Sequence, residues 1–133
     1  MRARKRFAQH FLESAWVRKV AAAVAPQRAD ALLEIGPGRG ALTRALAEPG
    51  PTMTLIELDR DLAADLRPEL PPHVELVEGD VLEVDLAACA AATLARRRER
   101  FPAEADGWPA AVRVAGNLPY NISTPLIARL VSF

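Results

Sequence analysis

Three stretches place chemically capable residues at the ends of apolar runs. The first is Glu34-Ile35-Gly36-Pro37-Gly38-Arg39-Gly40, with glycines at alternate positions directly after an apolar run. A backbone without Cβ atoms turns tightly and comes close to a ligand. The amides at the start of the following helix favour an anionic group there. Glu57 closes the next apolar run about twenty residues on, where a carboxylate accepts both ribose hydroxyls of a nucleoside. Asp80, after Gly79, closes a third run and could accept from an adenine amino group. Each has a plain structural alternative: a tight turn, a solvated acid at a strand end, or a cap on the turn into Val81-Leu82. Asp59 and Asp61 read as helix-start charges. Taken together, the three strand ends describe a pocket for an adenosine-containing cofactor.

The spacing bears on which cofactor. A dinucleotide site uses G-x-G-x-x-G, whereas here G-x-G-x-G is preceded by Glu34. A carboxylate is unfavourable beside a pyrophosphate and suits a ligand carrying an ammonium group. S-adenosylmethionine carries one, with a carboxylate, a ribose and an adenine, so the expectation moves from hydride transfer to methyl transfer. A fourth stretch, "VAGNLPYN" at 114–121, fits that chemistry. Asn117 can present its side-chain carbonyl to an amino group, and the Leu118 carbonyl, held by Pro119, can accept a second hydrogen bond. Tyr120 can stack on a planar base. An exocyclic amine is a poor nucleophile because its lone pair is delocalised into the ring, and accepting its protons in two directions localises that pair. No metal and no strong base is required. The main task is alignment of nitrogen and methyl carbon at roughly 3–3.5 Å. Turn chemistry alone is the competing account of the same residues.

The elements that must position these residues are legible as alternating patterns. Residues 14–24 read as a helix capped by Ser14, with Trp16, Val17, Val20, Ala21 and Val24 on one stripe before Pro26. Strands are expected at 31–35, 52–57, 74–77 and 112–115, and helices at 41–47, 60–67 and 85–100. Thr124-Pro125 opens a last helix. Residues 101–110 read as a surface loop. Strands alternating with helices imply an α/β fold with a parallel sheet and helices on both faces.

At 133 residues the chain is one domain or part of one. Half of it is hydrophobic and 26% is charged, an ordinary globular balance rather than a disordered one. Lys+Arg and Asp+Glu both number 17, so no whole-chain basic field for nucleic acid exists. The clusters at Arg2, Arg4, Lys5, Arg6 and at Arg96, Arg97, Arg98, Arg100 read as a solvated terminus and a helix face. Cys89, the single cysteine, excludes an internal disulfide and fits a reducing compartment. The basic start is not followed by an apolar stretch, so a cytoplasmic address is expected, with no membrane association; an organelle transit peptide is the alternative, since no acidic residue precedes Glu13.

The stretches "KRFAQHFL" at 5–12, "LEIGPGRGALT" at 33–43, "IELDRDLA" at 56–63, "EGDVL" at 78–82 and "GNLPYNISTPL" at 116–126 resemble the ribosomal RNA adenine dimethyltransferases. The bacterial small-subunit (16S) branch is the nearest match, and the resemblance spans almost the whole chain. It implies a Rossmann-like S-adenosylmethionine-dependent methyltransferase fold, and dimethylation of N6 on two adjacent adenosines near the 3′ end of 16S ribosomal RNA. The implied partner is that RNA within an immature 30S subunit, and the implied state is a monomer. The resemblance places Gln9, His10 and Leu12 at the cofactor's mouth, with Glu34, Gly36, Gly38, Glu57, Leu58, Asp80, Val81 and Asn117 in the same binding set. Asn117, Leu118, Pro119 and Tyr120 form the implied catalytic group. Related enzymes often carry Asn where His10 stands. The family's members are longer, with further strands, a loop that clamps the target base and a helical RNA-binding domain. Residues 1–133 are therefore read as the N-terminal part of a catalytic domain, truncated after the fourth strand and its helix. The basic segment 94–110 is given no function. Alternatives on the same fold are a large-subunit adenine methyltransferase conferring antibiotic resistance and a non-catalytic RNA-binding assembly or transcription factor. A dehydrogenase is the remaining alternative.

Overall fold

The computed structural model describes the backbone of residues 2–103 and 112–116, with side chains from Glu13 onward. Helix α1 (Arg2–Val24) is followed by β1 (Ala31–Ile35), α2 (Ala41–Ala47), β2 (Thr52–Glu57) and α3 (Arg60–Leu66). A 3₁₀ turn over Arg67–Glu69 leads to β3 (Val74–Glu78), α4 (Leu86–Arg100) and β4 (Arg113–Gly116). The strands form one four-stranded sheet in the order β3-β2-β1-β4, and every pairing is parallel. The chain builds outward from β1 to β3, then crosses back to lay β4 on the other side of β1. Open α/β sheets bind ligands outside the carboxyl ends of their strands at such a reversal.

Continuous burial explains the strand sequences. All five residues of β1 and all six of β2 are buried, which is why both read as near-continuous runs rather than alternating ones. Alternate side chains then serve opposite faces. Leu32, Met53 and Leu55 pack with Leu42, Leu46 and Leu66, and the α1 stripe of Trp16, Val17, Val20, Ala21 and Val24 covers that face. On the other face Ile35 and Ile56 meet Val81 and Leu86. The sheet is thus covered by α1, α2 and α3 on one side and by α4 on the other.

Local signals fix the helix starts. Asp59 caps α3, its side chain accepting from the amides of Asp61 and Leu62 at 2.9 and 3.1 Å. Asp85 caps α4 in the same way through Ala88 at 2.9 Å. Helix α1 differs from expectation. It begins at Arg2 rather than at Ser14, which lies inside it. No Gly or Pro interrupts residues 2–24, and the Ala, Arg, Leu and Lys content favours helix throughout, so Ser14 has no terminus to cap. Strand β3 runs on to Glu78, and β4 is set one residue later than expected, ending on Gly116. The helix expected from Thr124 lies outside the described residues, as does most of the loop expected at 101–110. Among the described residues no helix is long and apolar enough to cross a membrane.

Candidate functional site

The glycine turn follows β1 and bonds to the carboxyl end of β2, the Gly36 amide donating to the Ile56 carbonyl at 2.9 Å. The end of β3 lies beside β2, the Gly79 amide donating to the Glu57 carbonyl at 2.8 Å. Gly36, Gly38 and Gly40 have φ of 66°, 57° and 86°, in the left-handed region that side chains disfavour. At Gly38 a Cβ would meet no atom within 4 Å, so the turn faces open space there rather than packed protein.

Glu57 ties the turn to β2. Its Oε1 accepts from the Gly38 amide at 2.9 Å, and its Oε2 accepts from the Asp59 amide at 2.9 Å. Each carboxylate oxygen has two lone pairs, so both retain one acceptor position for a ligand. Glu57 is only 6% exposed, which sets the carboxylate at the mouth of the sheet rather than in bulk water. The structure therefore gives Glu57 more than the solvated strand-end role that a single acid suggests.

Asp80 does serve the turn. Its Oδ1 accepts from the Leu82 amide at 2.9 Å, and its backbone carbonyl accepts from Glu83 and Val84 at 2.9 Å each. Its Oδ2 makes no hydrogen bond to a described residue. The side chain of Val81 is buried with Ile35, Ile56 and Leu86, so a contact to a cofactor from this residue would come through its backbone. Leu58, between Glu57 and Asp59, is 64% exposed, the one large hydrophobic so exposed among the described side chains. It offers an apolar surface at the end of β2.

Glu34 is the unusual member. It is 2% exposed, and its Oε1 accepts from the Thr43 hydroxyl at 2.6 Å. Burial raises its pKa from 4.5 to about 7; the Thr43 hydrogen bond opposes this and the nearby Glu57 carboxylate adds to it. Glu34 lines a cleft of about 490 Å³ together with Glu13, Trp16, Gly36, Gly38 and Leu42. Glu57 and Asp80 do not line this cleft. They stand beyond Gly38, so the glycine turn separates an amino-acid-sized space at Glu34 from the carboxylates on β2 and β3.

Strand β4 completes the crevice. Gly116 pairs with Ile35, so the chain leaves β4 beside the point where it leaves β1. A Cβ at Gly116 would run into the Ile35 carbonyl oxygen, which makes glycine a requirement of this close approach. Asn117, Leu118, Pro119 and Tyr120 follow directly and lie outside the described residues. Gln9, His10 and Leu12 belong to α1, and their side chains also lie outside the described part. Gln9 stands one helical turn before Glu13, which lines the cleft.

Residues 1–133 match the family described as ribosomal RNA adenine dimethylase. The chain belongs to that family. Among curated relatives, the ribosomal RNA small subunit methyltransferase A of Variovorax paradoxus is 48% identical over 132 residues, covering 98% of this chain and 45% of the relative. The protein of the same name from Albidiferax ferrireducens is 45% identical, covering 98% of this chain and 44% of the relative. The chain thus spans about half the length of the curated relatives it matches. The solved 23S rRNA methyltransferase ErmE is similar with a TM-score of 0.62 and 25% identity, over 86% of this chain and 39% of that one. A dimethyladenosine transferase from Plasmodium falciparum shares the fold, with a TM-score of 0.64, 24% identity and coverage of 90% and 37%.

Within this candidate site, sequence reasoning missed Thr43, Glu13 and Trp16. Trp16, read only as part of the α1 stripe, both packs on the core and lines the cleft. Thr43 carried a faint signal, a β-branched hydroxyl inside the otherwise apolar face of a short helix. Glu13 carried none, since its partner surface comes from residues more than twenty positions away.

Proposed function

We propose that the protein is an S-adenosylmethionine-dependent methyltransferase that dimethylates N6 of two adjacent adenosines near the 3′ end of 16S ribosomal RNA. It acts on that RNA within an immature 30S subunit, as a monomer in the cytoplasm. The observation that carries this reading is the division of the crevice by Gly38. On one side a buried carboxyl lines a cleft of amino-acid size; on the other, Glu57 keeps an acceptor position on each oxygen. That donor and acceptor set fits a ligand with an α-ammonium at one end and a ribose at the other. Leu58 supplies the apolar surface that an adenine ring needs, and Asp80 Oδ2 supplies an acceptor for its amino group. The set fits a dinucleotide poorly, because Glu34 would lie beside the pyrophosphate.

The cofactor supplies the methyl group from a sulfonium whose departing half is a neutral thioether. The protein's part is to bind and align. Asn117 and the Leu118 carbonyl would accept hydrogen bonds from the target amine, which directs its lone pair toward the methyl carbon; the N–H proton released as the N–C bond forms passes to water. Pro119 restricts the backbone that carries that carbonyl. Tyr120 stacks on the extruded base, which must leave its helix to be reached.

The small-subunit target rests on the names of the relatives at 45–48% identity. The likeness to ErmE supports a second reading, a large-subunit adenine as target. Labelled methyl transfer by the full-length protein to purified 30S and 50S particles, with the modified position mapped, separates them. Dimethyladenosine in 16S RNA is the expected product. Asn117→Ala should slow transfer by about 2.7–4 kcal/mol of barrier, by analogy with loss of a preorganised oxyanion donor. Label confined to 23S RNA would move the assignment to the second reading, and parent-rate transfer by the Asn117 variant would remove its catalytic role.

A further inference from the structure

Thr43 ends the stretch at 33–43 and has no cofactor role in the sequence reading, yet it holds the most perturbed group of the crevice. We propose that Thr43 is a positioning residue for the amino-acid end of the cofactor, its hydroxyl orienting the Glu34 carboxylate toward an α-ammonium group and favouring the form that can meet it. This rests on the cofactor reading above.

The geometry is a two-element clamp. Glu34 comes from the carboxyl end of β1 and Thr43 from α2, both 2% exposed, and their hydrogen bond is 2.6 Å. That length is typical of a hydroxyl donating to an ionised carboxylate. The Thr43 hydroxyl occupies Oε1 and leaves Oε2 to the cleft that Glu34 lines. The charged groups around Glu34 do not neutralise it. Glu57 on β2 repels it, Glu13 from α1 adds a second carboxylate to the cleft, and Arg39 on the glycine turn lines the cleft from an exposed position. Among the described residues no cation pairs with Glu34, and a cation brought by the ligand fits that place.

The consequence is a proton-linked affinity. A carboxyl titrating near 7 must be ionised to meet an ammonium, so uptake strengthens as pH rises through that value. Thr43 opposes burial by stabilising the ionised form. Without its hydroxyl the proton is retained to higher pH, and the rise in affinity moves up with it. Replacement by valine keeps the shape and removes only the donor.

The test is calorimetric titration of the full-length protein between pH 5.5 and 8 with two ligands. S-adenosylhomocysteine carries the ammonium, and 5′-methylthioadenosine has the same nucleoside without it. The parent should bind the first more tightly as pH rises through about 7 and the second equally at every pH. Thr43→Val should move the first profile up by about one pH unit, about a tenfold loss at pH 6.5, and leave the second unchanged. Thr43→Ser should restore the parent profile. An unshifted profile in Thr43→Val overturns the proposal, as does equal weakening of both ligands at all pH, which would make Thr43 a packing residue only. Binding of both ligands with no pH dependence in the parent overturns it while the nucleoside site stands. Binding of neither overturns the cofactor reading and this inference together.

Discussion

At Glu34 the fold buries a carboxyl group that water would ionise, and the cost shows as a pKa of about 7 in place of 4.5. The folded chain therefore holds a proton that the unfolded chain releases between these values. The sign follows from linkage: where the native state binds more protons, stability falls as pH rises. Glu34 should thus withdraw stability progressively from about pH 4.5 to about 7, by roughly 3 kcal/mol in all, and no further above that. Urea denaturation of the parent and of Glu34→Gln at several pH values checks this. The variant should lose that fall in stability across the window. Identical pH dependence in both would mean that the carboxyl is better solvated than its 2% exposure implies. Keeping such a group against its own stability is common where a residue serves a ligand.

Among the elements, α4 is held to the sheet by polar contacts as much as by apolar ones. Arg96 donates to the Thr54 hydroxyl at 2.9 Å and to the Met53 and His73 carbonyls at 2.9 and 3.0 Å. The Thr93 hydroxyl donates to the Cys89 carbonyl at 2.7 Å, so in the 2.7 Å Thr54–Thr93 contact the Thr54 hydroxyl must be the donor. A directed chain thus runs from Arg96 through Thr54 and Thr93 to the Cys89 carbonyl. Arg100 repeats the device, donating to Thr52 at 2.8 Å. Replacing Arg96 by Met should cost about 2–4 kcal/mol, since three part-buried acceptors lose a charged donor. These contacts sit at the amino end of β2, remote from the glycine turn, so cofactor affinity should stay at the parent value. Thermal unfolding and titration of one variant measure both, and a stable variant with weakened cofactor binding would contradict the assignment. This role also marks where sequence reading ran out. Strands β1 and β2 were legible because burial on both faces leaves near-continuous runs, and β3, β4 and α2 because Gly, Pro and Asp bound short apolar segments. The use of Arg96 and Arg100 was not, because a basic run on a helix looks the same whether solvated or turned onto strand ends. The start of α1 was misplaced for a related reason: Ser14 is a good cap residue, but nothing before it stops the helix. In the site, Gly36, Glu57 and Asp80 were legible as strand-end residues. The Glu34–Thr43 pair was not, because it depends on how α2 lies against β1.

At the scale of the whole molecule, the switch in strand order between β1 and β4 explains why residues so far apart in sequence serve one crevice. Gly36, Glu57 and Asp80 lie at or just past the carboxyl ends of three parallel strands, and Gly116 delivers the fourth connection beside the first. The charge balance of the chain, 17 cations against 17 anions, gives little purchase on a phosphate backbone, whose neutralisation needs clustered Lys and Arg. The cofactor crevice, rather than an RNA surface, accordingly carries the proposed function. That assignment is tested most directly by titrating S-adenosylhomocysteine into the parent protein and into Glu57→Ala, with NAD in parallel. One molecule should bind per chain, NAD should not compete, and Glu57→Ala should weaken binding at least about tenfold, through loss of a charged acceptor for the ribose. Unchanged affinity in Glu57→Ala, or NAD binding as tightly as S-adenosylhomocysteine, would contradict it.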